Sequence, residues 1–309
     1  MFYYFIVNKS SKSGLAAVTW DRLEAMLLDR TISYEAHFTE GPGHARELAA
    51  EASVRADVDC ICVMGGDGTL NEVLNGIVDF SKVKIGYIPS GSANDFAKGI
   101  GLSGTSEEIL DRILDSNRAT KSFDLGEVSY EDGKHVFAVS SGIGVDAYVC
   151  LQALDSKLKK FLNLFHMGQA TYGLLTVGDL FTMKLAACDI TVGSEIRHIN
   201  GAIFVAAMNC PYEGGGIPMV PYARANSGHL SAFMAHDIAR IKCFFLLPKL
   251  IAGKHIGKKG FDFIDFDTMT IKMDKPMCVH ADGEYCGFHD QVVFKCLPQA
   301  LQLRGLDNE

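Results

Sequence analysis

Residues 63–72 read Val63-Met64-Gly65-Gly66-Asp67-Gly68-Thr69-Leu70-Asn71-Glu72, and this order constrains everything around it. The apolar, β-prone run at residues 60–64 predicts a buried strand. Apolar residues at Leu70, Val73, Leu74 and Ile77 predict a helix behind it, with Thr69 as N-cap and Glu72 closing a capping box. Three glycines therefore fall in a strand-to-helix turn. There they let backbone N–H groups approach a ligand closely, and the helix N-terminus favours an anion such as phosphate. Asp67 sits in the same turn. A carboxylate repels a phosphate unless a cation lies between them, which points to a nucleotide with Mg²⁺. The plain alternative is a tight turn with a capping Asp.

The flanking sequence alternates strand and helix. Strands are predicted over residues 2–7, 32–38, 60–64 and 84–89, and helices over 15–28, 45–54 and from Leu70. This is the rhythm of a parallel sheet covered by helices, in which ligands bind at the carboxyl ends of the strands. Those ends carry Asn8 and Ser11 in one polar turn and Thr39 in another. The fourth strand is followed by Pro89-Ser90-Gly91-Ser92-Ala93-Asn94-Asp95-Phe96-Ala97. Asp95 alone reads as a helix cap; in the same fold as Asp67 it becomes a metal-ligand candidate.

Near residues 121–126 the rhythm changes to strand-like stretches separated by turns, which predicts a β-rich second domain. Helical stretches interrupt it at residues 147–178 and 238–251. The window 240–261 holds Arg240, Lys242, Lys249, Lys254, Lys258 and Lys259 and no Asp or Glu. It reads either as a core helix with snorkelling lysines or as a contact for an anionic membrane. Pro248 breaks the helix pattern, which tips the balance to the first. Later, Asp282-Gly283 is a strong hairpin signal in its own right.

Composition bounds the function. The length of 309 residues, 48% of them hydrophobic, suffices for two cored domains. A net charge of -8 argues against general nucleic-acid binding. Nine scattered cysteines, an odd count without a C-x-x-C pair, suggest reduced thiols and a cytoplasmic setting. No run is long enough for a transmembrane helix. No G-x-x-x-x-G-K-[ST] loop is present, so the chain is not a P-loop protein.

Three motifs in order, Gly65-Gly66-Asp67-Gly68-Thr69, residues 89–97 and Asp282-Gly283-Glu284, resemble the diacylglycerol kinase catalytic domain family. That family includes sphingosine kinases and is distantly related to NAD kinases. The resemblance implies an α/β domain over residues 1–125, to which residues 297–309 return, and a β-rich, sandwich-like lipid-substrate domain over 126–296. It places the nucleotide in the cleft between them. It implies ATP and Mg²⁺ as cofactors, with Asn8, Ser11, Thr39, Gly65, Gly66, Gly68, Thr69, Gly91 and Ser92 toward ATP. Asp67, Asp95 and Glu284 would surround Mg²⁺, and Asp282 would be the base. Two departures stand out: Lys9 where the family's first loop has proline, and Asn226-Ser227 where many members carry aspartates near an accessory Mg²⁺.

The function so implied is transfer of the γ-phosphoryl group to a lipid hydroxyl, with diacylglycerol as the leading acceptor. A cytoplasmic protein in transient, peripheral contact with an anionic membrane fits it. Nucleic acid is not an expected partner, and self-association into a homodimer stays open. The alternatives are a related kinase acting on a sphingoid lipid, another lipid alcohol or NAD, and a nucleotide- or lipid-binding regulator without turnover.

Overall fold

A computed structural model of the chain describes residues 1–153 and 185–307. The chain divides into two compact units, Met1–Leu125 with Pro298–Glu309, and Gly126–Leu297.

In the first unit, strands β1 (Phe2–Val7), β2 (Ser33–Phe38), β3 (Cys60–Gly65) and β4 (Lys84–Pro89) pair in parallel in the order β2-β1-β3-β4. The end of the long strand β13 (Glu284–Arg304) adds to β4, with Gln302 opposite Lys84. Parallel neighbours need crossover connections. Here these include α1 (Leu15–Asp29), α2 (His44–Val54), α3 (Asp67–Gly76), α4 (Asp95–Gly99) and α5 (Ser106–Leu114). Every residue of β3 is buried, as in a strand covered on both faces. Helix α1 buries Ala16, Trp20, Leu23 and Leu27, one stripe at helical spacing, and Trp20 meets Phe5 of β1 edge-on at 5.3 Å.

Strand β5 (Lys121–Tyr130) carries the chain into the second unit, where β6 (Gly133–Phe137) and β7 (Ser140–Gly144) follow, then the helix α6 (Val145–Ala153). The rest of the helix predicted over residues 147–178 lies outside the described residues. Next come β8 (Ala186–Val192), β9 (Glu195–Met208), β10 (Leu230–His236), helix α7 (Arg240–Ile251), β11 (Phe261–Phe266) and β12 (Thr268–Ala281). Its strand pairs β5–β6, β7–β9, β7–β12, β8–β9, β8–β12, β9–β10, β10–β11 and β12–β13 are all antiparallel, as in a β-rich domain. Strands β9 and β12 are each shared. Their outer halves pair with β8, where Ile190 faces Arg197 and Ile271. Their inner halves pair with β7, where Ile143 faces Val205 and Val279. This unit thus wraps around an apolar core containing Phe204, Phe233, Met269, Ile271 and Phe294.

Strand β7 is fully buried, yet its sequence, Ser-Ser-Gly-Ile-Gly, has no apolar alternation to reveal it. Helix α7 runs through Pro248, contrary to the expectation that proline breaks it. Residues 299–304 form the end of β13. All nine cysteines are free thiols. Among the described residues no helix is long and apolar enough to cross a membrane.

His255 is fully buried against Phe233, Phe261 and Phe263. Its Nε2 donates to the Met219 carbonyl at 2.8 Å, and its Nδ1 is buried without a partner among the described residues. Burial holds its pKa below the usual histidine value, partly countered by the Met219 carbonyl. The unfolded chain therefore binds the proton more readily. The stabilisation is complete above the unfolded value of about 6.5 and is lost as pH falls toward the lowered folded value. His255→Gln, which cannot charge, is expected to lose less melting temperature than the parent between about pH 7.5 and about pH 5.5. Equal losses would contradict a buried neutral ring.

Candidate functional site

The sequence-predicted residues of the first unit cluster at the carboxyl ends of neighbouring parallel strands. Asn8 follows β1, and its N–H donates to Met64 O of β3 at 2.9 Å. Its Nδ2 donates to Thr69 Oγ1 at 2.9 Å. Ser11 follows in a short 3-10 turn, its N–H donating to Asn8 O at 3.2 Å. Thr39 follows β2, with its N–H donating to Val7 O at 3.0 Å. Gly65 ends β3, its carbonyl accepting from Ser90 N at 2.8 Å. Ser92 is exposed in the loop after β4, and Gly68 lies in the first turn of α3.

The β3 and β4 loops touch through glycine. A Cβ on Gly91 would sit 2.5 Å from Gly66 Cα, and one on Gly66 would sit 3.0 Å from Gly91 Cα. Any larger residue at either position would push the loops apart. Asn94 braces the second loop: its Oδ1 accepts from Gly91 N at 2.9 Å, and its Nδ2 donates to Gly91 O at 3.0 Å. Asn94 does this at φ +52, a left-handed conformation that Asn tolerates better than most residues.

The expected capping box at Thr69 and Glu72 does not form. Helix α3 begins at Asp67 with Gly66 as N-cap and no side-chain cap. Thr69 turns to Asn8 instead, and Glu72 accepts from Ala45 N at 3.1 Å on α2. Both side chains found tertiary partners, which local spacing cannot display. A complete capping box does occur on α5, between Thr105 and Glu108.

Asp67 spans the two loops. Its Oδ2 accepts from Asp95 N at 3.0 Å and its Oδ1 from Phe96 N at 3.2 Å, both at the start of α4. Asp95 itself is buried, and the Lys98 ammonium lies 3.6 Å from its carboxylate. The two carboxylates thus share one backbone passage. Hard carboxylate oxygens are what Mg²⁺ takes, so the donor chemistry of Asp67 and Asp95 fits that ion.

In the second unit, Asp282 and Gly283 form the two-residue turn between β12 and β13, with Ala281 paired to Glu284. Both have positive φ, 49 and 85, as a type I′ hairpin requires. The Asp282 carboxylate is held from the other side. Oδ2 accepts from Ala138 N at 2.7 Å, and Oδ1 accepts from Val139 N at 2.8 Å and Ser140 N at 3.0 Å. Three N–H donors stabilise the ionised form. Glu284 is exposed beside the turn. The Asn226-Ser227 turn is closed by the Ser227 hydroxyl, which bonds Arg224 O at 2.9 Å and His229 O at 3.0 Å.

Sequence reasoning missed a cluster beneath this turn. His280 is fully buried, with Nε2 at 3.3 Å from Asp146 Oδ2 and 3.6 Å from Glu213 Oε1. The absence of a side chain at Gly142 makes room, since a Cβ there would run into Asp146 and approach His280 Nε2 at 3.1 Å. Burial works against charge on the ring. The hydrogen bond and charge of Asp146, with Glu213 and Asp282 behind them, outweigh burial and push the pKa up to about 9. One contact pulls the other way: Gly283 N–H points at His280 Nδ1 from 3.3 Å, favouring a ring unprotonated there. Three carboxylates stand against that single long contact, so the direction of the shift is upward. The ligand atoms of Asp146, Glu213 and His280 lie within 4.8 Å of one another, close enough to share a metal ion. One signal was legible. His280 stands at the end of β12, two residues before the Asp282-Gly283 turn that the hairpin signal marks.

The family description "Diacylglycerol kinase catalytic domain" matches residues 3–128, and "YegS C-terminal NAD kinase beta sandwich-like domain" matches residues 139–305. The chain belongs to the diacylglycerol kinase catalytic domain family, with the NAD kinase-like β-rich domain as its second part. It is 27% identical over 291 residues to a Bacillus subtilis protein named "Putative lipid kinase YtlR", covering 92% of this chain and 94% of that one. It is 26% identical over 255 residues to a B. subtilis protein named diacylglycerol kinase, covering 81% and 79%. A crystal structure of a diacylglycerol kinase from Bacillus anthracis str. Sterne shares the fold, with TM-score 0.74 at 20% identity, covering 98% of this chain and 96% of that one.

Proposed function

We propose that the chain is an ATP-dependent lipid kinase that transfers the γ-phosphoryl group to the hydroxyl of diacylglycerol, giving phosphatidic acid. The observation that carries this reading is the contact of two glycine loops at Gly66 and Gly91, with Asp67 tying them together from below. Phosphoryl transfer is mostly positioning and charge stabilisation. Narrow glycine loops at strand ends offer backbone N–H groups to a phosphate chain, and Asn8, Ser11, Thr39, Thr69 and Ser92 add polar groups around them. Mg²⁺ held by Asp67 and Asp95 would offset the charge of the phosphates.

Asp282 accepts the proton of the attacking hydroxyl. Its three N–H bonds keep it ionised, so it meets the hydroxyl as a carboxylate. The names of the matching proteins support a lipid acceptor over a soluble one. The nine free thiols suit a cytoplasmic protein that visits the membrane for its substrate. Transfer of label from γ-labelled ATP into solvent-extractable lipid tests the reading, and a protein that binds ATP without ever labelling lipid would overturn it.

A further inference from the structure

Helix α7 has two apolar faces. Cys243, Leu246 and Leu250 pack against the core of the second unit. On the opposite side Ile241 is 60% exposed and Phe245 67% exposed, one turn apart. Exposed Pro248 and Ala252 continue the same stripe at i+7 and i+11. Exposed Lys242 and Lys249 border it. At the end of the helix Ile251 is also exposed, and beyond it Ile256, with exposed Lys254, Lys258 and Lys259 around Ile256. Single exposed apolar residues need no explanation. Four large ones within sixteen residues, edged by lysines, differ from that pattern. No Asp or Glu occurs from residue 240 to 261, in a chain whose net charge is -8. The segment is also anchored: buried His255 ties it to the Met219 carbonyl, so the exposed groups stand on a fixed base.

We infer that this outward face of α7 and the following loop is the surface by which the protein docks on an anionic lipid bilayer. Ile241, Phe245 and Ile256 enter the headgroup boundary, while Lys242, Lys249, Lys254, Lys258 and Lys259 meet the lipid phosphates. The chemistry is complementary on both counts: apolar side chains for the acyl boundary and unopposed cations for the negative surface. The remainder of an acidic chain is repelled by such a surface, which orients the approach. This rests on the lipid kinase reading only for its biological purpose. Docking is measured without ATP or turnover, so either reading can fail alone.

The test is co-sedimentation of the full chain with vesicles of phosphatidylglycerol and phosphatidylcholine, against vesicles of phosphatidylcholine alone. Two double variants are compared with the parent: Lys242→Glu with Lys249→Glu, and Ile241→Ser with Phe245→Ser. None of these residues belongs to the proposed nucleotide or transfer groups. The parent is expected to favour the anionic vesicles and to lose binding as salt is raised. Each double variant is expected to lose at least about tenfold in partition, with unchanged melting temperature. Parent-like binding by both variants would overturn the assignment. So would variants that bind vesicles normally but change their sedimentation coefficient, since the face would then join two copies of the chain.

Discussion

Asp282→Asn is expected to lower phosphoryl transfer by about 10²- to 10⁴-fold, the usual contribution of general-base assistance. It is also expected to lower stability, which the sequence alone would not suggest. Asn suits the positive φ of the turn nearly as well as Asp, so the hairpin between β12 and β13 survives. The carboxylate, however, accepts three backbone N–H bonds from residues 142 to 144 positions upstream. An amide offers one oxygen, which can keep Val139 and Ser140. Its NH₂ would then face the Ala138 N–H, donor against donor. A buried donor left without a partner costs about 1–3 kcal/mol. Two measurements separate the roles. Denaturation gives the stability loss, and single-turnover transfer under conditions where the variant stays folded gives the chemical loss. ATP affinity should stay near the parent value, because the nucleotide loops belong to the first unit. A folded variant with parent-like transfer would reduce Asp282 to a brace between β7 and the hairpin.

Asp67→Ala is expected to abolish turnover and to weaken Mg-ATP binding by at least about tenfold. Two effects combine. The variant removes a carboxylate oxygen donor suited to Mg²⁺, and it strips Asp95 N and Phe96 N of their acceptor. Hydrogen bonds to a charged acceptor contribute about 1.5–3 kcal/mol, so the β4 loop should loosen even without ligand. Asp67→Asn divides the effects, since it keeps one acceptor but loses the charge. Calorimetric titration with ATP, with and without Mg²⁺, reads them out. Loss of the Mg²⁺-dependent part of the affinity in both variants supports the metal role. Loss in Asp67→Ala alone would assign Asp67 to holding the loops. Unchanged affinity and rate in both would remove it from the site.

What could be read in advance was local. The β3 turn, its glycines and the strand-helix alternation of the first unit follow from period and residue type within a few positions. The Asp282-Gly283 hairpin is likewise a two-residue signal. What could not be read was where side chains go when their partners are remote. Thr69 reaches Asn8, 61 residues away, rather than capping its own helix, and Asp67 reaches across 28 residues to Asp95 N. Asp146, after β7, and Glu213, after β9, meet His280 because β9, β7 and β12 are successive neighbours in the sheet. Strand β7 escaped notice because burial on both sides by small residues leaves no alternation. The proline in α7 misled in the opposite way. The helix continues there, with Ala252 N bonding Pro248 O at 3.1 Å, because its inner face is held by the core.

The most direct test of lipid phosphorylation is γ-labelled ATP offered to the purified full chain with Mg²⁺. The acceptors are diacylglycerol, a sphingoid base and a monoacylglycerol in mixed micelles, with NAD in solution alongside. The expected result is label in phosphatidic acid, dependent on Mg²⁺ and absent with Asp67→Ala. Label in a phosphorylated sphingoid base or monoacylglycerol alone would keep the lipid kinase and change its acceptor. Label in the NAD product, or none in any acceptor while ATP still binds, would contradict a lipid kinase.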